Sequence, residues 1–521
     1  MPLNWRIKLS KSGEIFLYER NINKQYDFNM WFVFPGTESF ALSSLGYLWL
    51  YHLVDKMDDV NIERIYSDTK STHIHRDKVD LIGFSMSFDM DFMHVLSFLK
   101  KNKFEYRAKD RTEEEPLLYA GGPVITANPE PYKNIFDFFV IGDGEDLNTE
   151  IVRFCAENKN LPKADKLEIL SKMDGVYVPS VKQEKIVKRT KKLSECIYTP
   201  IISNKSFFKN TFILEVERGC ANRCGFCLAS YLNLPIRFVS YEQLIDIIEL
   251  GLSKTQKIAL LGAQVTAHPD FEKVCEYIHT KIKNGQKIEL GVSSLRVDSF
   301  KPEIVQTLVD AGQKNLTLAI EAGSERLRRV INKNLTEEQI FKAIDVAKTC
   351  GLRGLKFYGM IGLPTETQED IDEIVALSKR IKAKHKGFGV TFGFSTFVPK
   401  PNTPFQWFGR TDEKILEGRA NYLKKELHKL GIHATISSSK WDYWQAVLSR
   451  GDEKLSDFII DVYKHGGKLG AFKKSAKELG IDTDYYAYQN YEYDKVLPWD
   501  FIVTKPGKEF LIKESQRLIS C

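Results

Sequence analysis

Between residues 211 and 397 the chain carries six short apolar runs with amphipathic stretches between them. The runs are "TFILEVE" (211–217), "KIALLG" (257–262), "KIELGVSS" (287–294), "NLTLAI" (315–320), "GLKFYGM" (354–360) and "GVTFGFSTF" (389–397). Helical patterns separate them at about 240–252, 270–284, 301–312, 336–350 and 367–386. Apolar runs of this length read as buried strands. Strands alternating with helices pair in parallel through right-handed crossovers. The pattern predicts a partial (β/α)6 barrel. Chemistry in such barrels sits at the C-terminal ends of the strands, so the segments following each run are the places to search.

The first of these segments is "ERGCANRCGFCLAS" (217–230), with Cys220, Cys224 and Cys227 inside eight residues of a chain that has eight cysteines in 521. Few, unevenly spaced cysteines argue against a disulfide framework. The beginning "MPLNWRIKLSKSGEIF" shows no apolar signal region, and no apolar run is long enough to span a bilayer. The expected setting is a reducing cytoplasm. Structural zinc would want a fourth Cys or His at a compatible spacing. Three thiolates suit an iron–sulfur cube with one iron left open. The net charge of +6 is small for this length and does not point to nucleic acid.

The C-x3-C-x2-C spacing resembles the radical S-adenosylmethionine (SAM) superfamily. The resemblance implies a [4Fe-4S] cluster on the three cysteines, with SAM chelated to the open iron and Phe226 near its adenine. It implies one-electron cleavage of SAM to a 5′-deoxyadenosyl radical, with reduced flavodoxin or ferredoxin as donor. Where many relatives have Gly-Gly-Glu after the second strand, this chain has Gly262-Ala263-Gln264, so Gln264 offers only a carbonyl dipole. His268 reads as a proton carrier or, more simply, a helix-start residue. Ser294, Arg296 and Asp298 alternate after the third strand and place one face toward the cofactor. Glu321 is expected at the barrel mouth, hydrogen-bonding SAM or else pairing with Arg326 or Arg328. Gly362, in "GMIGLPTET", would let the backbone approach the adenine.

A separate unit precedes the barrel. A helical pattern covers 40–56, and strands are expected within 79–88, 116–131 and 136–146. The last two run into glycine-rich loops, which suggests an open doubly wound sheet with a ligand at its strand ends. With the barrel, "GGP…NPEP" and "IGDGE" resemble the cobalamin-binding domain of cobalamin-dependent radical SAM enzymes. That likeness implies a corrin near Ser85, Gly121, Gly122, Gly142 and Gly144. The Asp-x-His-x-x-Gly device of many cobalamin domains is missing, so a corrin without a histidine ligand is expected.

Residues 151–205 read as a charged, solvated connector. The segment "FVPKPNTPFQW" (397–407) must be extended, with Lys400, Asn402, Gln406 and Trp407 expected to face a substrate cavity. Residues 411–521 read as a mostly helical domain over the barrel mouth, with "SRGD" inside a helix spanning 440–466. The proline segment, "SRGD" and "LPWD" resemble a subfamily of cobalamin-binding radical SAM proteins. The expected architecture is α/β: a Rossmann-like domain at 1–150, the connector, a barrel at 206–410 and the helical domain. The expected function is cobalamin-dependent radical methylation of an unactivated carbon in a substrate the sequence does not name. Alternatives are a non-methylating rearrangement or cyclisation, a tRNA methylthiotransferase, and a non-catalytic cobalamin or redox sensor.

Overall fold

The computed structural model describes residues 13–20, 27–293 and 295–520. Its first sheet has five parallel strands: β1 (Phe28–Phe34), β2 (Val60–Tyr66), β3 (Leu81–Ser85), β4 (Leu117–Gly121) and β5 (Phe138–Val140). An antiparallel edge, β6 (Val176–Tyr177), completes the order β2-β1-β3-β4-β5-β6. Strand β1 pairs with both β2 and β3, so the order reverses there, as in doubly wound sheets. The sequence reading does not include β1 or β2. Helices Leu45–Asp55 and Glu145–Glu157 cover one face, burying Leu48, Tyr51, Ile151 and Val152 against Phe32, Leu117 and Tyr119.

The second unit is a half-open barrel of parallel strands. Strands β7 (Thr211–Glu215), β8 (Lys257–Leu261) and β9 (Glu289–Val292) form one group. Strands β10 (Asn315–Glu321), β11 (Gly354–Ile361), β12 (Gly389–Thr396) and β13 (His433–Ile436) form the other. A parallel bridge between Leu295 and Leu318 joins them. Burial alternates along the strands: Leu355 and Phe357 pack outward, whereas Tyr358 is 43% exposed on the opposite face. The six expected strands are present. The sheet continues beyond residue 410, because helix Glu413–Lys429 returns the chain to lay β13 beside β12.

The C-terminal helices do not lie where expected. Helices Ser439–Ser449, Lys454–Lys464 and Leu469–Glu478 bury Trp444, Phe458 and Phe472 in a core shared with Trp31, Phe84 and Phe92. They cover the second face of the first sheet, which helix Phe92–Lys101 alone would leave open. Helix Glu413–Lys429 packs Leu416, Leu423 and Leu427 into the barrel core, and helix Lys508–Ile519 places Leu518 among Ala322, Leu327 and Phe405. Residues 151–205 are likewise woven in: they supply β6, and Ile186–Val187 pairs with Ile502–Val503.

The proline segment fastens these parts together instead of facing a cavity. Lys400 pairs with Asp89 at 2.6 Å, and Asn402 Nδ2 donates to the Ala127 carbonyl at 3.1 Å. Gln406 Oε1 accepts from Trp499 Nε1 of "LPWD" at 2.7 Å, and Trp407 is buried. The "SRGD" stretch breaks the expected helix after Ser449. Asn128 Nδ2 of "NPEP" donates to the carbonyls of Ser449 and Gly451 at 3.2 and 2.8 Å. Arg450, 0% exposed, donates to the carbonyls of Tyr486 and Gln489 at 2.9 and 2.8 Å and lies over the Tyr491 ring.

Removing that guanidinium leaves two carbonyls without their charged donor and opens a cavity. Arg450→Ala is expected to lower unfolding stability by about 3 kcal/mol, read from the urea midpoint. A change below about 0.5 kcal/mol, the range of a neutral surface substitution, would show that the clamp contributes nothing.

Candidate active site

The cysteine loop leaves β7 through a short antiparallel pairing of Glu217–Arg218 with Arg237–Phe238. Cys220 and Cys224 are each 7% exposed, and Cys227 is half-buried. Among the described residues these three sulfurs do not form a group within 4.8 Å. Tetrahedral zinc, with Zn–S of about 2.3 Å, needs sulfurs only about 3.8 Å apart. Burial pushes the Cys224 thiol up to about 12 and raises Cys227 as well. The loop is closed over by helix Lys508–Ile519: a Cβ on Gly225 would lie 2.9 Å from Leu518.

Charged groups ring the thiols. Lys333 is buried and pairs with Glu321 at 3.3 Å. This is the partner of Glu321, not Arg326, which binds Asp370, or Arg328, which donates to the carbonyls of Ala322 and Gly323. Glu321 has φ +65°, at an irregularity in the β10–β11 register. Arg296 pairs with Asp298 at 2.8 Å and donates to the Lys333 carbonyl, yet its buried Nη1 finds no partner among the described residues. Phe226 packs against the apolar group that contains Leu363, Phe397, Phe405 and Leu518. Gly362 has φ +82°, and its N–H donates to Glu366 at 2.8 Å. Ser294 lies outside the described residues.

The second strand's turn carries an unexpected acid. Gln264 contacts Asn222, and its N–H donates to Glu217 Oε1. Glu217 is fully buried, and its Oε2 has no partner among the described residues. Glu217 reads in the sequence only as the end of a strand; its position three residues before Cys220 was the available signal. His268 serves the turn, with Nε2 against the Val239 carbonyl at 2.7 Å and Nδ1 accepting from Asp270 N–H.

Arg218 ties this loop to the first sheet. It pairs with Glu215 at 2.7 Å, Glu145 at 2.6 Å and Asp143 at 3.0 Å. Arg237 adds a second cation to Asp143 at 2.5 Å. Burial works against the Asp143 carboxylate, but Arg218 and Arg237 hold it below the usual range. Beside this network lies a cavity of about 300 Å³, lined by Gly122, Gly142 and Gly144 from the first sheet and Glu215, Arg218 and Leu261 from the barrel. Ser85 and Gly121 pair with each other in the sheet and do not line it. A Cβ on Gly122 would fall 2.2 Å from the Met86 carbonyl, and one on Gly142 2.1 Å from that of Arg189. Protein contacts alone therefore require both glycines, whatever the cavity holds.

Residues 214–378 match the family described as the Radical SAM superfamily, and residues 70–179 match Radical SAM proteins, N-terminal. The chain belongs to the radical SAM superfamily. An uncharacterized protein of Methanocaldococcus jannaschii, MJ0966, is 29% identical over 89% of this chain and 98% of its own length. The threonylcarbamoyladenosine tRNA methylthiotransferase MtaB of Aquifex aeolicus is 23% identical over 49% of this chain and 63% of its own. Among solved structures, the cobalamin-dependent SAM radical enzyme OxsB with aqua-cobalamin bound superposes with a TM-score of 0.55 at 14% identity. That match covers 95% of this chain and 80% of OxsB. The likeness is one of fold. No helix of the described residues is long and apolar enough to cross a membrane.

In this radical SAM protein Glu217 titrates far from its ordinary range. Burial pushes it up to about 7 from 4.5, with Glu215 adding in the same direction against one N–H from Gln264. A raised folded value means that stability is fully present below the unfolded value and is lost as pH rises through the folded one. The metal-free chain should lose up to about 1.4 kcal/mol per pH unit through that interval, which runs from 4.5 to about 7. Glu217→Gln should flatten the slope in urea titrations across that range; an unchanged slope would contradict the assignment.

Proposed function

We propose that this radical SAM enzyme binds SAM at the cysteine loop and cobalamin at the neighbouring cavity, and methylates an unactivated carbon. The observation that carries this reading is Arg218. Two residues before the first cysteine, it is bonded to Asp143 and Glu145 of the "IGDGED" loop, so the two expected cofactor edges share one wall.

The residues present suit both cofactors. Three thiols, two of them buried, with Lys333 and Arg296 beside them offer soft donors and compensating positive charge for a cluster. The unpartnered Glu217 Oε2 and Arg296 Nη1 are a buried acceptor and donor, the pair an amino acid's ammonium and carboxylate require. Glu217 thereby supplies the carboxylate missing at Gln264. When bound, the cluster supplies one electron, delivered by reduced flavodoxin or ferredoxin, and the corrin carries a methyl group. The chain's part is to orient SAM through Glu217 and Arg296, with Phe226 and the Gly362 turn at the adenine. Glu321, held by Lys333, stands at the mouth of β10, and helix Lys508–Ile519 shields the loop from water. A methylthiotransferase reading is less well supported, because the sequence before Cys220 holds only Cys155 and Cys196. Both are buried, in different cores.

Anaerobically reconstituted protein should carry about four irons per chain. Cys220→Ala, Cys224→Ala and Cys227→Ala should each abolish release of 5′-deoxyadenosine; full activity in any one would sink the assignment. With hydroxocobalamin and methyl-labelled SAM, label should appear in the corrin fraction together with S-adenosylhomocysteine. Release of 5′-deoxyadenosine with no label reaching corrin or product would leave a rearrangement or cyclisation in place of methylation.

Glu217→Gln and Arg296→Met should keep their iron but bind SAM roughly tenfold to a hundredfold more weakly in equilibrium dialysis, about 1.4 to 2.7 kcal/mol. Unchanged affinity in both variants would remove these residues from the SAM site.

A further inference from the structure

Closed barrels fill their interior with layers of bulky branched side chains. The inner face of this half-open barrel is built differently. On β10 to β13 one inward row, set by the strand register, runs Ala319, Tyr358, Gly393 and Thr435. On β8 and β9 the paired Ala259 and Gly291 share a side, since a Cβ on Gly291 would lie 3.5 Å from that of Ala259. Small residues leave the interior open, and the one large side chain of the row, Tyr358, is 43% exposed within it.

The next row down is polar. Thr317, Lys356, Thr391 and His433 stand in register on the same four strands. Lys356 leans upward, with its Nζ 4.8 Å from the centre of the Tyr358 ring. The two side chains cross Gly393, where a Cβ would fall 3.1 Å from Lys356 Cε and 3.2 Å from Tyr358 Cδ1. Among the described residues Lys356 makes no ion pair and no hydrogen bond. Lys257 and Glu289, at the starts of β8 and β9, are 3.1 Å apart and cancel each other. The inner wall therefore carries one uncompensated positive charge with a threonine on either side. An ammonium between two hydroxyls is a donor set for an oxyanion.

Tyr358 lies two residues and Lys356 four residues before Met360 on β11. At about 3.3 Å per residue, the ammonium sits roughly 7 to 13 Å below the level of Met360. Between that point and the mouth the wall is Ala319, Tyr358 and Met360, which is apolar. We infer that the substrate is an anionic small molecule, with a carboxylate or phosphate on Lys356 between Thr317 and Thr391. An apolar stretch of it lies against Tyr358, and the carbon to be attacked reaches the mouth. The inference rests on the radical SAM reading and adds to it a class of substrate.

The test uses anaerobically reconstituted full-length protein and the probes octanoate, octyl phosphate, octanol and octylammonium, all below their micelle concentrations. Binding is followed by equilibrium dialysis, and folding of each variant is checked by its thermal midpoint. The anionic probes are expected to bind roughly tenfold or more tighter than octanol, and octylammonium no tighter than octanol. Whichever of octanoate and octyl phosphate binds better names the anion. Lys356→Met should bring both anions to within about threefold of octanol without changing octanol itself, and Lys356→Arg should keep the preference. Tyr358→Ala should weaken every probe alike. If the anions bind no tighter than octanol, or Lys356→Met leaves their preference intact, the inference is overturned. Failure of the wild type to release any 5′-deoxyadenosine from SAM is a different result, which overturns the radical SAM reading beneath it and leaves the anion preference of the barrel standing.

Discussion

The guanidinium of Arg218 is the point on which the two halves of this molecule turn. It sits between three carboxylates, one from its own strand end and two from the first sheet, and is largely buried. A buried cation is tolerated only where its partners are close and well oriented, and the same holds for each buried carboxylate in reverse. Each sheet thus holds charges that the other must neutralise. That mutual need fixes the first sheet along β7, with Phe207 N–H reaching the Ser39 carbonyl near the strand's start and Arg218 reaching Glu145 beyond its end. Orientation between the units is set by electrostatics that tolerate little sliding, not by apolar contact alone.

The barrel was legible because its signal is local. Each strand is an apolar run and each helix an amphipathic one, so period alone separates them, and all six expected strands end within a residue or two of their observed positions. The first sheet was only half legible. Strand β1, "FNMWFVF", is almost uniformly buried and carries no alternation to read, while β2, "VNIERIY", places Glu63 and Arg64 side by side in a strand whose polarity resembles a loop. The C-terminal helices were found, but their destination was not. An amphipathic stripe says that a face is buried and nothing about which surface buries it. The sheet face that Trp444 and Phe472 cover is known only once the sheet itself is complete.

At the site, the cysteines announced themselves by spacing, but the residues around them did not. Lys333 and Arg296 lie more than sixty residues from the cysteine loop in sequence, and their roles depend on where β9 and β10 end. Glycines were a misleading kind of signal. Gly122 and Gly142 mark turns at the ligand edge, yet a carbonyl of the protein itself occupies the space that a side chain would take. Proline misled in the other sense: the "FVPKPNTPFQW" segment, expected to face a substrate cavity, is spent in joining domains.

The cover over the cysteine loop has a consequence for the order of synthesis. Leu518 and Phe405 close on Gly225, and Arg223 lies under Phe510. Helix Lys508–Ile519 begins 281 residues after Cys227 (508 less 227). At roughly 5–20 residues per second on the ribosome, the loop stands open for roughly 14 to 56 seconds after its cysteines are made. Loading of the loop and closing of the loop are thereby separated in time by the order of the chain, so the helix that seals the finished site is also the one that leaves it accessible during translation.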